Sequence, residues 1–95
     1  MPFLARFRRP KEDPETARRA WLLRAGRVGE ATVLGTDPDD QGNLMLSYSY
    51  TIGGVDYQSF QSLDAAQLQR KHDYLPGARV RLRYDPHRPA NSVVV

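Results

Sequence analysis

Few side chains in this sequence could do chemistry, and their spacing groups them poorly. The 95 residues contain no cysteine, which excludes a thiolate nucleophile, a thiolate-bound metal and a disulfide. His72 and His87 fall in different predicted turns, and neither has the spacing of a metal-ligand pair. Asp85 stands two residues before His87, a separation compatible with acid–base work, yet no nucleophile motif or phosphate-cradling glycine loop accompanies them. The pair reads as a structural turn. Asp37, Asp39 and Gln41 alternate before Gly42 in partial imitation of a calcium loop, but the twelfth position is Tyr48 rather than a bidentate glutamate. A plain polar hairpin loop is the expectation there. No catalytic residue, cofactor or metal site is expected, and the chain is read as a non-enzyme.

Two constellations could instead bind something. Arg79, Arg81 and Arg83 alternate along one predicted strand, which puts their charges on one face about 7 Å apart, a spacing able to track phosphates. With Arg6, Arg8 and Arg9 of the N-terminal stretch they are the candidate polyanion-binding residues. A stripe of outward arginines is more commonly a solvated face that discourages edge pairing. Five tyrosines raise the alternative of stacking platforms for single-stranded nucleic acid. Parity argues against most of them: Tyr48 and Tyr50 share a face with Leu44, Leu46 and Ile52, and Tyr84 shares one with Val80 and Leu82, so their rings are expected in the core with hydroxyls at the rim. Phe60 has the opposite parity to Tyr57, so one of the two is expected outside or beneath a helix.

Charge is unevenly spread. Residues 1–27 hold eight Arg or Lys against three acids, and residues 28–95 hold six against eight. A basic front can serve anionic partners or solubility alone. Phe3, Leu4 and Phe7 among the arginines make peripheral contact with an anionic membrane a candidate role for the arm. No apolar run approaches the roughly 20 residues a spanning helix needs, no signal peptide is evident, and Pro2 and the Val93–Val95 end match no lipidation motif. A cytoplasmic location is the expectation.

Local patterns place these groups on elements. Residues 1–12 read as a flexible basic arm bracketed by Pro2 and Pro10. Asp13 as N-cap, Pro14 at the first helical position, Glu15 in the first turn and Gly26 in a left-handed C-terminal turn define a helix over 14–25. Ala17, Ala20, Trp21 and Ala25 share one face of it, with Trp21 as the expected anchor. Trp21, Leu22 and Leu23 together form the candidate protein interface, a homodimer included. Period-two patterning then predicts strands over 27–36, 44–52 and 55–62, the last two joined by a Gly53-Gly54 hairpin that pairs Ile52 with Val55 and Tyr50 with Tyr57. A short helix capped by Asp64 runs to about His72, followed by a strand over 79–84 and a last short one over 92–95. The fold class is therefore mainly β: a small, five-stranded, partly open barrel, OB-like or alternatively SH3-like, with an N-terminal helix and a short helix between strands three and four. Residues 13–95 form one domain in this reading.

Three stretches carry a family resemblance: Gly29-Glu30-Ala31-Thr32-Val33, then Tyr48 through Tyr57, then Pro76-Gly77-Ala78-Arg79-Val80-Arg81-Leu82-Arg83-Tyr84-Asp85-Pro86 with Pro89 and Ser92 beyond. In these, residues 26–95 resemble the domain of unknown function 3592, a family of mostly bacterial proteins often tethered by membrane helices. The resemblance implies a β-domain and no activity, and the matching residues turn chains and build strands. This chain departs from those relatives in having no flanking membrane helix. The function expected is a non-enzymatic binding or scaffold module that presents loops to a protein partner, with single-stranded nucleic acid or another polyanion as the alternative ligand.

Overall fold

A computed structural model describes residues 13–95. Arg6, Arg8, Arg9 and the apolar residues of the arm lie outside the described residues. The elements run α1 (Pro14–Ala25), β1 (Arg27–Pro38), β2 (Leu44–Ile52), β3 (Val55–Ser62), α2 (Ala65–Gln69), a 3₁₀ turn (Lys71–Tyr74), β4 (Arg79–Asp85) and β5 (Arg88–Val94).

The five strands form one antiparallel sheet in the order β3-β2-β1-β4-β5. Long β1 serves two neighbours: its first half, Arg27–Thr32, pairs with β4, and from Thr32 onward it pairs with β2. Two antiparallel steps on each side of β1 leave β3 and β5 parallel and side by side, which is the OB-type closure rather than the SH3-type. The Gly53-Gly54 turn adopts φ of 59° and 81°, and the register sets Ile52 against Val55 and Tyr50 against Tyr57 as the period-two pattern requires.

Inward-facing residues of β1, β2 and β4 make the core, with Ala31, Val33, Leu46, Tyr48, Tyr50, Leu82 and Tyr84 buried together with Leu63, Tyr74 and Val94. The even-numbered face of β2 is thus the buried one. Tyr48 shares a hydrogen bond of 2.8 Å with the Ser92 hydroxyl, and Tyr50 donates to the Pro89 carbonyl. Their polar ends reach β5, which joins opposite walls of the barrel. Tyr74 is buried by the 3₁₀ turn and its hydroxyl has no partner among the described residues.

Several local expectations change. The short helix does not run unbroken to His72; it ends at Gln69, and the chain tightens into the 3₁₀ turn. β5 begins at Arg88 rather than Ser92, across an irregularity beside Asp85 that accommodates Pro89 without its N–H. Gly26 is extended, with φ −72° and ψ 157°, so no left-handed turn ends α1. Glycine is required there for another reason: a Cβ would lie 2.5 Å from the Leu22 carbonyl oxygen and 3.1 Å from the Arg83 Cβ.

The face by which α1 packs also differs. Trp21 is not its anchor, being 39% exposed, whereas Leu22 is fully buried and lies under the helix where α1 meets β4 and β5. Val93 faces outward opposite Arg83 yet is buried, because α1 lies over that part of β5. Beside Leu22 the contact is polar. Glu15 holds both Arg18 and Arg19; Arg18 donates to the Ser92 carbonyl of β5, and Arg19 donates to the Ser62 carbonyl at the end of β3, each at 2.8 Å. Arg18's hydrogen bond, helped by Arg19 and opposed by partial burial, takes the Glu15 carboxyl from 4.5 down to about 2.

The same junction of β3 and β5 is closed from within. The buried Gln61 amide accepts from the Val94 N–H at 2.8 Å and donates to the Val94 carbonyl at 3.1 Å, standing in for the peptide group of an adjacent strand. Gln67 adds a second donor to that carbonyl at 2.8 Å while its amide oxygen accepts from the Asp64 N–H in a capping box.

Candidate functional site

The opposite side of the barrel is left open. β1 and β2 are paired only as far as Thr32 and Ser49; beyond that point β1 continues to Arg27 along β4, and β2 continues to Ile52 along β3. The two strands diverge around a cleft of about 650 Å³ lined by both edges, with Val28, Gly29 and Glu30 on one side and Tyr50, Thr51 and Ile52 on the other. Alternate peptide groups of a strand point to opposite edges. One set from Arg27 to Ala31 and one from Tyr50 to Ile52 therefore face the cleft with no strand opposite among the described residues.

Parity divides its lining into floor and rim. Tyr50 and Tyr57 face inward as a near-parallel stacked pair, 5.3 Å between centroids and 18° between planes. Tyr84 completes the floor against Gly29, where a Cβ would stand only 3.2 Å from the Tyr84 ring. Burial raises the Tyr50 phenol above its ordinary range, so it stays neutral. Glu30, Thr51 and Asp56 point outward at the rim; Glu30 pairs with Arg79 at 2.7 Å, and Asp56 accepts from the Thr51 hydroxyl at 2.6 Å. Among the described residues, no lysine or arginine lines this cleft.

The β4 arginines do not form a uniform free stripe. Arg79 is exposed but engaged by Glu30. Arg83 is half-buried and donates at 3.0 Å to the Gly26 carbonyl, where it holds the end of α1. Only the Arg81 side chain makes no hydrogen bond or ion pair among the described residues, although its carbonyl accepts from the Val95 N–H. Of the exposed rings, Phe60 stands on the outer face of β3, 69% exposed and paired in register with Ser47, near Arg18 and Arg19 of α1, with β5 between its strand and β4. Of the candidate protein-contact residues, Trp21 and Leu23 are exposed on α1, while Leu22 is removed from that surface by its burial.

The turns that resembled sites are held by their own side chains. Asp39 accepts from the backbone N–H groups of Gln41 and Asn43 at 2.8 Å each, and the Asn43 bonds keep its carboxyl below the ordinary range. Asp85 accepts from the His87 backbone N–H at 2.9 Å, as in an Asx turn. Among the described residues no three acids or histidines gather as metal ligands, and no helix is long and apolar enough to cross a membrane.

The sequence reading missed Glu30, Thr51, Asp56 and Tyr57 as a group, because nothing in their local pattern says where β1 leaves β2. It also missed the seam residues. Asp64 with Gln67 three positions on was a legible capping signature, and Gln61, sharing parity with Tyr57, was a polar side chain aimed inward.

A barrel in which β1 is shared by β2 and β4, with a helix between β3 and β4, defines an OB-type β-domain. The chain belongs to the family described as domain of unknown function (DUF3592), whose sequence model matches residues 25–95. Neither the curated proteins nor the solved structures include a match to the chain. The match begins at the last residue of α1, so nearly all of that helix precedes the family's shared domain.

Proposed function

We propose that this domain is a non-enzymatic binding module that engages another polypeptide through the cleft between β1 and the β2–β3 hairpin. One observation carries the reading: two backbone edges have no partner among the described residues and border an open cleft of about 650 Å³ floored by tyrosines. Unpaired strand edges are costly to leave exposed and are ready templates for another chain. Tyrosine rings add contact area at low entropic cost. The polyanion alternative draws less support, because Arg83 is spent on the Gly26 carbonyl and Glu30 offsets the charge of Arg79.

Photo-crosslinking in the native cells tests this reading. A photoreactive residue at Val28, at the cleft, is expected to form a covalent adduct with a polypeptide, and the same residue at Asp40, in the exposed β1–β2 loop beyond the far end of β1, is not. Absence of an adduct at Val28, or equal labelling at both positions, would remove the support for the cleft as the binding surface.

A further inference from the structure

We infer that the cleft takes its ligand by strand addition to the free edge of β1, and that the ligand is an extended segment alternating apolar with basic residues. This rests on the binding reading above and specifies the mode and the chemistry.

The mode follows from the backbone. The free edge of β1 from Arg27 to Ala31 is longer than that of β2 from Tyr50 to Ile52, and a five-residue edge is about 17 Å of strand. A segment laid along it finds donors and acceptors already extended by their pairing with β4, so little ordering entropy is lost on the domain's side.

The chemistry follows from parity. Successive side chains of an added strand point alternately inward and outward. The inward ones meet Tyr50, Tyr57, Tyr84 and the bare Cα of Gly29, a surface suited to apolar groups. The outward ones meet Glu30 and Asp56; among the described residues no lysine or arginine lines the cleft, and Arg79 and Arg81 approach Glu30 from β4, on the side away from the free edge. The Arg79–Glu30 pair is exposed on both sides, 69% and 63%, and such pairs exchange partners at little cost. The charge preference is local, because the chain as a whole carries +3 and would repel a cationic peptide by its net field.

The probes are three fluorescent eight-residue peptides, measured by anisotropy against the full chain. One alternates valine with arginine, one alternates valine with glutamate, and one is the arginine peptide N-methylated on alternate residues. The arginine peptide is expected to bind about tenfold more tightly than the glutamate peptide and to lose about tenfold with the double variant Glu30→Gln/Asp56→Asn, the sum expected from two rim charges. N-methylation along the pairing edge should abolish binding, and amide NMR shifts should concentrate at residues 27–31. Equal binding of the glutamate peptide, indifference to the double variant, or full binding of the N-methylated peptide would overturn the inference. If the Val28 crosslink still recovers a polypeptide in that case, the binding module stands and only its strand-addition chemistry falls. Failure of both experiments removes both.

Discussion

The barrel is interrupted twice, and the two interruptions are treated in opposite ways. Between β3 and β5 the backbone ladder is missing, but side chains replace it: Gln61 and Gln67 bond Val94 from within, and Arg18 and Arg19, gripped by Glu15, bond the strand carbonyls from α1. Between β1 and the β2–β3 hairpin the ladder is missing as well, and no side chain of the described residues closes it. A buried backbone group left unbonded costs about 1–3 kcal/mol, so the first gap had to be sealed for the barrel to be stable. The second is open to water, which satisfies its backbone groups at no such cost and can be displaced by a partner. The difference separates a part of the molecule that serves stability from one available for function.

That contrast can be broken most severely at Leu22. Leu22→Ala removes the one fully buried side chain of α1 and is expected to cost about 3 kcal/mol, read as a lower urea midpoint with the β-sheet signal of circular dichroism retained in water. A loss below about 1 kcal/mol would mean that α1 does not brace the seam.

At Gln61 the contrast can be sharpened. Gln61→Leu leaves the Val94 N–H buried without an acceptor and should cost about 2 kcal/mol. The rim change Glu30→Gln, which breaks only the exposed pair with Arg79, should move stability by less than about 0.5 kcal/mol. Equal losses in urea denaturation would erase the distinction between the sealed and open gaps.

A smaller loss than at Gln61 is expected at Glu15. Its carboxyl is held near 2 in the folded chain against an ordinary 4.5, so its contribution is complete above pH 4.5 and disappears as pH falls from there toward 2. Because the Glu15 side chain is 45% exposed, screening limits that contribution to about 1 kcal/mol. Glu15→Gln should therefore lower stability by that amount at pH 6, and the difference from the parent should shrink by pH 2.5. A gap unchanged between the two pH values, measured by thermal melts, would detach Glu15 from the arginine fork.

Much of the fold was legible in local pattern. Alternation from Leu44 to Ile52, the Gly53-Gly54 turn and the punctuation at Asp64 and Pro76-Gly77 placed strands and hairpin, because side-chain parity and positive φ are properties of a few neighbouring residues. The helix face was not, because its buried side is chiefly Glu15, Arg18 and Arg19 around Leu22, and a search for apolar spacing selects Trp21 instead. The β4 stripe was legible as a strand face but not as a set of contacts: the partners of Arg79 and Arg83, Glu30 and the Gly26 carbonyl, come from β1 and the helix end.

The sequence by itself determined where the strands lie apart from the start of β5 and the end of β1, which faces of β2 and β4 are apolar, and that no thiol chemistry is available. Tertiary structure alone decided which ladder edges would be sealed and which left bare. That outcome depends on where long β1 exchanges one partner strand for another and on which side chains arrive from distant parts of the chain to bond the exposed peptide groups, and neither is encoded in the spacing of near neighbours.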